Sequence, residues 1–204
     1  MRGRELENRL GELLHFVGLD AHANNYVGTF SGGMKRRLNF AAALVHKPKL
    51  VMLDEPTAGV DPHSRQRIFE MVRTLRDDGH AIVYITHYME EAEGLCDRIG
   101  IMNGGRIIAM GSLDDLLADM GCTEIIELRG LDGSADLRAV RGARGLCSIE
   151  VADDLVRLYV NNAAAFLAPL QKIISRSESP VRMKIAPISL EDLFLNLTGM
   201  ELRD

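Results

Sequence analysis

The sequence predicts an α/β fold that gives way, near residue 121, to a small α+β unit. Two short apolar runs, Leu50-Val51-Met52-Leu53 and Ala81-Ile82-Val83-Tyr84-Ile85-Thr86, bracket a helical stripe of Ile68, Val72 and Leu75. Strand, helix, strand with both strands apolar throughout is a βαβ unit, its strands parallel and covered on both faces. Beyond residue 121, residues 124–128, 146–151, 155–160 and 181–186 read as strands, several of them alternating apolar and polar as half-buried antiparallel strands do.

The first element is a helix with Leu6, Leu10, Leu13, Leu14 and Val17 on one face, stopped by Gly18. Residues 20–30 read as loop. A second helix starts at Gly32 or Gly33 and runs to Val45, since Pro48 disfavours helix in the residue before it. Asp61-Pro62 is an N-cap followed by proline at the first helical position, and that helix ends near Gly79. A short helix covers 89–96. Ile99–Met102 and Arg106–Ala109 flank Asn103-Gly104-Gly105, a hairpin turn. Ser112-Leu113-Asp114-Asp115 has the spacing of a capping box. In the last part, 162–174 is a helix facing inward with Phe166, Leu167, Leu170, Ile173 and Ile174. Ser189 then caps a final helix built on Leu190, Leu193, Phe194 and Leu197.

At 204 residues, 47% hydrophobic and 26% charged, the composition is that of an ordinary globular protein. A net charge of −5 argues against a nucleic-acid partner, whose phosphates call for a basic surface. No apolar run reaches the length needed to cross a bilayer, and the residues from Met1 lack a signal peptide's apolar stretch. Cys96, Cys122 and Cys147 are odd in number and widely spaced, which fits neither a disulfide framework nor a zinc knuckle. A reduced, cytosolic chain is expected.

Three features carry chemistry. Ser31-Gly32-Gly33 opens a helix: the glycines let backbone approach an anion, Ser31 adds a hydroxyl, and the helix dipole favours negative charge. Taken alone, Ser-Gly-Gly is also a common flexible turn. Asp54 and Glu55 sit at the C-terminal end of an apolar strand, where parallel α/β sheets bind ligands. One carboxylate there can hold Mg²⁺ while the other orients or deprotonates water, although Asp-Glu-Pro also serves as a plain polar strand end. His87 follows the neighbouring strand and would face the same crevice as Glu55. Asp61 acts as an N-cap whatever else it does.

In their order and spacing these motifs resemble the ATP-binding cassette ATPases. Ser31–Met34 resembles that family's signature motif, Leu50–Glu55 its Walker B strand, Gly59–Asp61 its D-loop and His87 its switch histidine. The resemblance covers residues 5 to about 120. It implies a partial P-loop NTPase core: 1–47 as a remnant of the helical subdomain, 48–120 as the Walker B half, and 121–204 as an α+β accessory domain. It also implies ATP and Mg²⁺ as cofactors, Glu55 as general base, Asp54 on the metal and His87 on the γ-phosphate. Ser31, Gly32 and Gly33 would touch ATP held by a partner, with Asp61 linking the two sites. Met34 and Val60 depart from the family pattern, which usually has glutamine and leucine there.

Thr29–Leu38, Thr86–Glu93 and Leu190–Phe194 further resemble the export branch, which includes drug and antibiotic efflux systems. That implies a transmembrane permease subunit, a second nucleotide-binding subunit in a head-to-tail dimer, and a place on the cytoplasmic face of the membrane. A G-x-x-x-x-G-K-[ST] P-loop is absent from these residues. The expectation is therefore a chain truncated at its N-terminus, inactive alone, with a large apolar patch where neighbouring strands are lost. Two alternatives stay open: a soluble, non-transport ATPase of the same superfamily, and a non-catalytic module lending its signature loop to a complete partner.

Overall fold

The computed structural model describes residues 1–131, 137–152, 154–177 and 179–198. They form two units, Met1–Cys96 and Asp97–Asp204, each with its own core. This division lies earlier than the change in pattern near residue 121. The segment after Cys96 groups with the C-terminal part because its helix packs against the last described helix.

The first unit begins with α1 (Arg4–Phe16) and, after two 3-10 turns at Asp20–His22 and Val27–Thr29, continues into α2 (Gly32–Leu44). Those turns occupy the stretch read as loop. Leu13 and Val17 are buried against Phe40 and Leu44, whereas Leu10 remains 42% exposed because the stripe on α1 is wider than the surface it meets. β1 (Leu50–Asp54) pairs in parallel with β2 (Ala81–Ile85) through the connecting helix α3 (Pro62–Asp77), with Asp54 opposite Ile85. α3 is capped as expected: the Asp61 carboxylate accepts from the Ser64 amide at 2.9 Å, and Pro62 sits in the first turn. α4 (Met89–Leu95) closes the unit.

One expectation fails here. β1 and β2 are covered on one face only: Val51 and Leu53 point into the core with Ile68 and Leu75 of α3, but Leu50, Met52, Val83 and Ile85 are exposed on the other. That apolar face of the first unit therefore stands exposed.

The second unit holds the hairpin of β3 (Ile99–Asn103) and β4 (Arg106–Gly111), then α5 (Leu113–Ala118) with its reciprocal Ser112–Asp115 capping box. Its antiparallel sheet runs in the order β6 (Leu146–Ala152), β7 (Leu155–Val160), β5 (Glu124–Arg129) and β8 (Arg182–Pro187). Cys147 is skipped in the β6–β7 register, so β6 carries a bulge there. α6 (Ala164–Ile174) buries Phe166, Leu170 and Ile173 against Ile126, Leu128 and Leu158, while Leu167 is 39% exposed. The chain's last described helix is α7 (Leu190–Thr198), anchored by Leu190 and Leu193. Among the described residues no helix is long and apolar enough to cross a membrane.

Candidate functional site

Parallel pairing puts the ends of β1 and β2 side by side, and the site grows from that edge. The Glu55 amide donates to the Ile85 carbonyl at 2.9 Å, extending the ladder one residue past β1. There the backbone turns sharply. Glu55 has φ 43°, a left-handed conformation uncommon for a non-glycine residue. That turn presents the Glu55 carboxylate to His87, whose Nδ1 lies 3.1 Å from Oε1. Both side chains remain about half exposed, at 48% and 57%. A base and an imidazole are thus held within hydrogen-bond reach on an accessible edge.

Asp54, the last residue of β1, is exposed, and among the described residues no donor is bonded to its carboxylate. No three His, Cys, Asp or Glu side chains among the described residues converge on a metal. A single unengaged carboxylate suits Mg²⁺, which keeps several waters and takes one or two protein carboxylates plus phosphate oxygens.

Ser31 is the N-cap of α2, its Oγ accepting from the Met34 amide at 3.2 Å. Gly32 is exposed, and a Cβ built on it would meet nothing within 4 Å. Gly33 is buried: a Cβ there would collide with Ser64 Oγ and come within 3.6 Å of Asp61 Oδ2. The two glycines therefore differ. Gly32 leaves backbone open to an incoming anion, while Gly33 allows α2 to press against the first turn of α3. Asp61 accepts from both the amide and the hydroxyl of Ser64, the latter at 2.6 Å, and this bond chiefly holds its carboxyl below the usual value.

The structure thus gathers four of the predicted residues into two pairs, Glu55 with His87 and Gly33 with Asp61, and leaves Ser31, Gly32 and Asp54 outside them. Arg36 joins them: from α2 it donates to the Glu55 carbonyl at 3.0 Å. Met34 and Val60, the two departures from the family pattern, are partly buried against the first unit's core.

Glu91 escaped the sequence reading. It is a buried acid on α4, hydrogen-bonded to Thr57, Arg65, Tyr84 and Thr86. In sequence it stood only as one residue of the Thr86–Glu93 stretch, with no role of its own. Burial, and then Glu91, push the Tyr84 phenol well above its ordinary value, so it stays a donor.

The profile of the ABC transporter family matches residues 2–58. The chain is 40% identical over 205 residues to the linearmycin resistance ATP-binding protein LnrL of Bacillus subtilis, covering 98% of this chain and 66% of that one. It is 40% identical over 202 residues to the Nod factor export ATP-binding protein I of Rhizobium etli, covering 99% and 62%. It thus spans roughly two thirds or less of these relatives' length. Among solved structures, the ADP conformation of an ATP-binding cassette of an ABC transporter superposes with TM-score 0.52 at 29% identity, over 56% of this chain and 45% of the other. An ATP-binding subunit of an ABC transporter gives 0.52 at 32%, over 59% and 50%.

Proposed function

Since the chain belongs to the ATP-binding proteins of ABC transporters, we propose that it supplies the hydrolytic edge and the signature loop of composite ATP sites in an exporter. The observation that carries this reading is the Glu55–His87 contact at the ends of adjacent parallel strands. In that role Glu55 takes the proton of the attacking water, and His87 orients it and meets the γ-phosphate. Asp54 is the residue that would hold Mg²⁺, and the ion would neutralise charge on the transferred phosphoryl group. Ser31 and Gly32 face ATP bound by a second subunit, and Asp61, the N-cap of α3 beside Gly33, links the two sites.

A P-loop is needed to grip the phosphates and has to come from outside these residues, from further chain or from a partner. The export assignment draws on the relatives' names and on the Thr86–Glu93 and Leu190–Phe194 stretches. It carries with it a transmembrane permease and a location on the cytoplasmic face of the membrane. A soluble ATPase of the superfamily is the competing reading, and no specific observation favours it.

The test compares residues 1–204 alone with the same residues joined to a relative's P-loop segment. Alone, the chain binds ATP too weakly to measure at micromolar concentrations and shows background hydrolysis. In the joined form, Glu55→Gln removes at least 90% of turnover and keeps ATP binding, because the amide cannot accept the water's proton and such bases contribute about 10²–10⁴-fold. A Glu55→Gln enzyme with turnover near wild type would refute the assignment.

A further inference from the structure

We infer that Glu91 is the positioning residue that holds the loops bearing Glu55, Asp61 and His87 in one arrangement, an inference that rests on the catalytic reading above. Its side chain is fully buried, with 0% exposure. Oε1 accepts from Thr57 Oγ1 at 2.7 Å and from Arg65 Nε at 3.0 Å, and Oε2 accepts from Tyr84 Oη at 2.8 Å and Thr86 Oγ1 at 3.0 Å. A carboxylate offers about four acceptor positions, and here each has a donor.

The donors sit beside the segments that bear Glu55, Asp61 and His87. Thr57 lies two residues after Glu55, Arg65 lies one helical turn beyond Asp61, and Thr86 immediately precedes His87. Thr86 Oγ1 also accepts the Tyr88 amide at 3.0 Å, so both neighbours of His87 are fixed through the same hydroxyl. Arg65 is itself held between the rings of Tyr88 and Phe69, 5.2 and 5.5 Å from their centroids. Stability alone does not call for an acid at this point, since packed apolar groups often replace a buried ion pair without loss. What an apolar side chain cannot do is bind three loops at one point.

A glutamine at 91 has the same size but loses one acceptor and the charge facing Arg65. An aspartate is one methylene too short to reach all four donors. In the P-loop-joined chain, Glu91→Gln lowers turnover per bound ATP about 10- to 100-fold, as expected for a displacement near 1 Å, while ATP affinity stays within about threefold. Thr86→Val cuts the link to His87 from the other side. Combined with Glu91→Gln, it adds less than about a threefold further loss, because both changes sever one connection.

A second arm needs no hydrolysis. In residues 1–204, Glu91→Gln speeds amide hydrogen exchange at Tyr88 and Glu55 about tenfold or more and leaves Leu158 in the second unit unchanged. Should the P-loop-joined wild type fail to hydrolyse ATP, the catalytic reading falls and this arm still decides the positioning role. Unchanged exchange at Tyr88 and Glu55, or fully multiplicative losses in the Glu91 and Thr86 pair, would overturn it. If Glu91→Gln does not fold, Thr86→Val alone answers through the Glu55 amide, which is not bonded to Thr86: faster exchange there supports the link and unchanged exchange overturns it.

Discussion

Gly32 and Gly33 are neighbours in one motif, yet alanine should act on them in opposite directions. An alanine Cβ at 33 stands 3.0 Å from Ser64 Cβ and runs into Ser64 Oγ. The hydroxyl can swing away only by giving up its 2.6 Å bond to Asp61. The Ser64 Cβ cannot yield without moving the first turn of α3. Overpacking of this kind costs about 1–3 kcal/mol and the lost hydrogen bond about 0.5–1.5, so Gly33→Ala destabilises the first unit by about 2–4 kcal/mol. At Gly32 the new methyl meets nothing within 4 Å, and removing glycine's backbone freedom stabilises by up to about 1 kcal/mol. Urea unfolding followed by far-UV circular dichroism measures both changes, and the chain has no tryptophan to follow instead. Equal shifts for the two variants would refute the packing argument. The result also fixes how the proposed partner-facing role is probed: an aspartate belongs at 32, where a Cβ meets nothing within 4 Å, and not at 33.

Two further outcomes are expected. The depressed carboxyl of Asp61 stabilises the fold at pH above its ordinary value of 3.8, and that contribution is lost as pH falls through its lower folded value. Asp61→Asn, which still caps but does not titrate, should therefore flatten stability against pH below about 4 in acid titrations followed by circular dichroism, and an unchanged profile would count against the cap. Burial, reinforced by Cys147, pushes the Cys122 thiol up to about 12, whereas Cys147 is exposed. Iodoacetamide at pH 8 should alkylate Cys147 well before Cys122, as read by peptide mass spectrometry, and equal labelling would contradict this.

What the sequence disclosed and what it hid divide by range. Asp61-Pro62 and Ser112 with Asp115 cap their helices through neighbours three residues away, so local spacing alone located both helix starts. The parallel pairing of β1 and β2 was legible for a similar reason, since an apolar run on each side of one helix leaves few ways to close. Coverage of those strands was not legible. An apolar residue such as Met52 reads the same whether something packs on it or, as here, it is 68% exposed. The Gly33–Ser64 approach and the Arg36 bond to the Glu55 carbonyl join segments with no common local pattern. Glu91 is the extreme case: donors from positions 57, 65, 84 and 86 meet at one carboxylate, and on the page it is simply one of two adjacent glutamates on a short helix.

The backbone at Glu55 sets a bound on what this site can become. At φ 43° the main chain there would relax with glycine, and β-branched residues would suffer most. Selection for a sturdier fold and selection for a carboxylate beside His87 therefore pull on one residue in different directions. A lineage released from the second demand would be free to drift toward glycine at this position, gaining robustness as the edge fell silent. The kink at the end of β1 thus makes position 55 a place where disuse of the proposed catalytic edge would be recorded in the sequence.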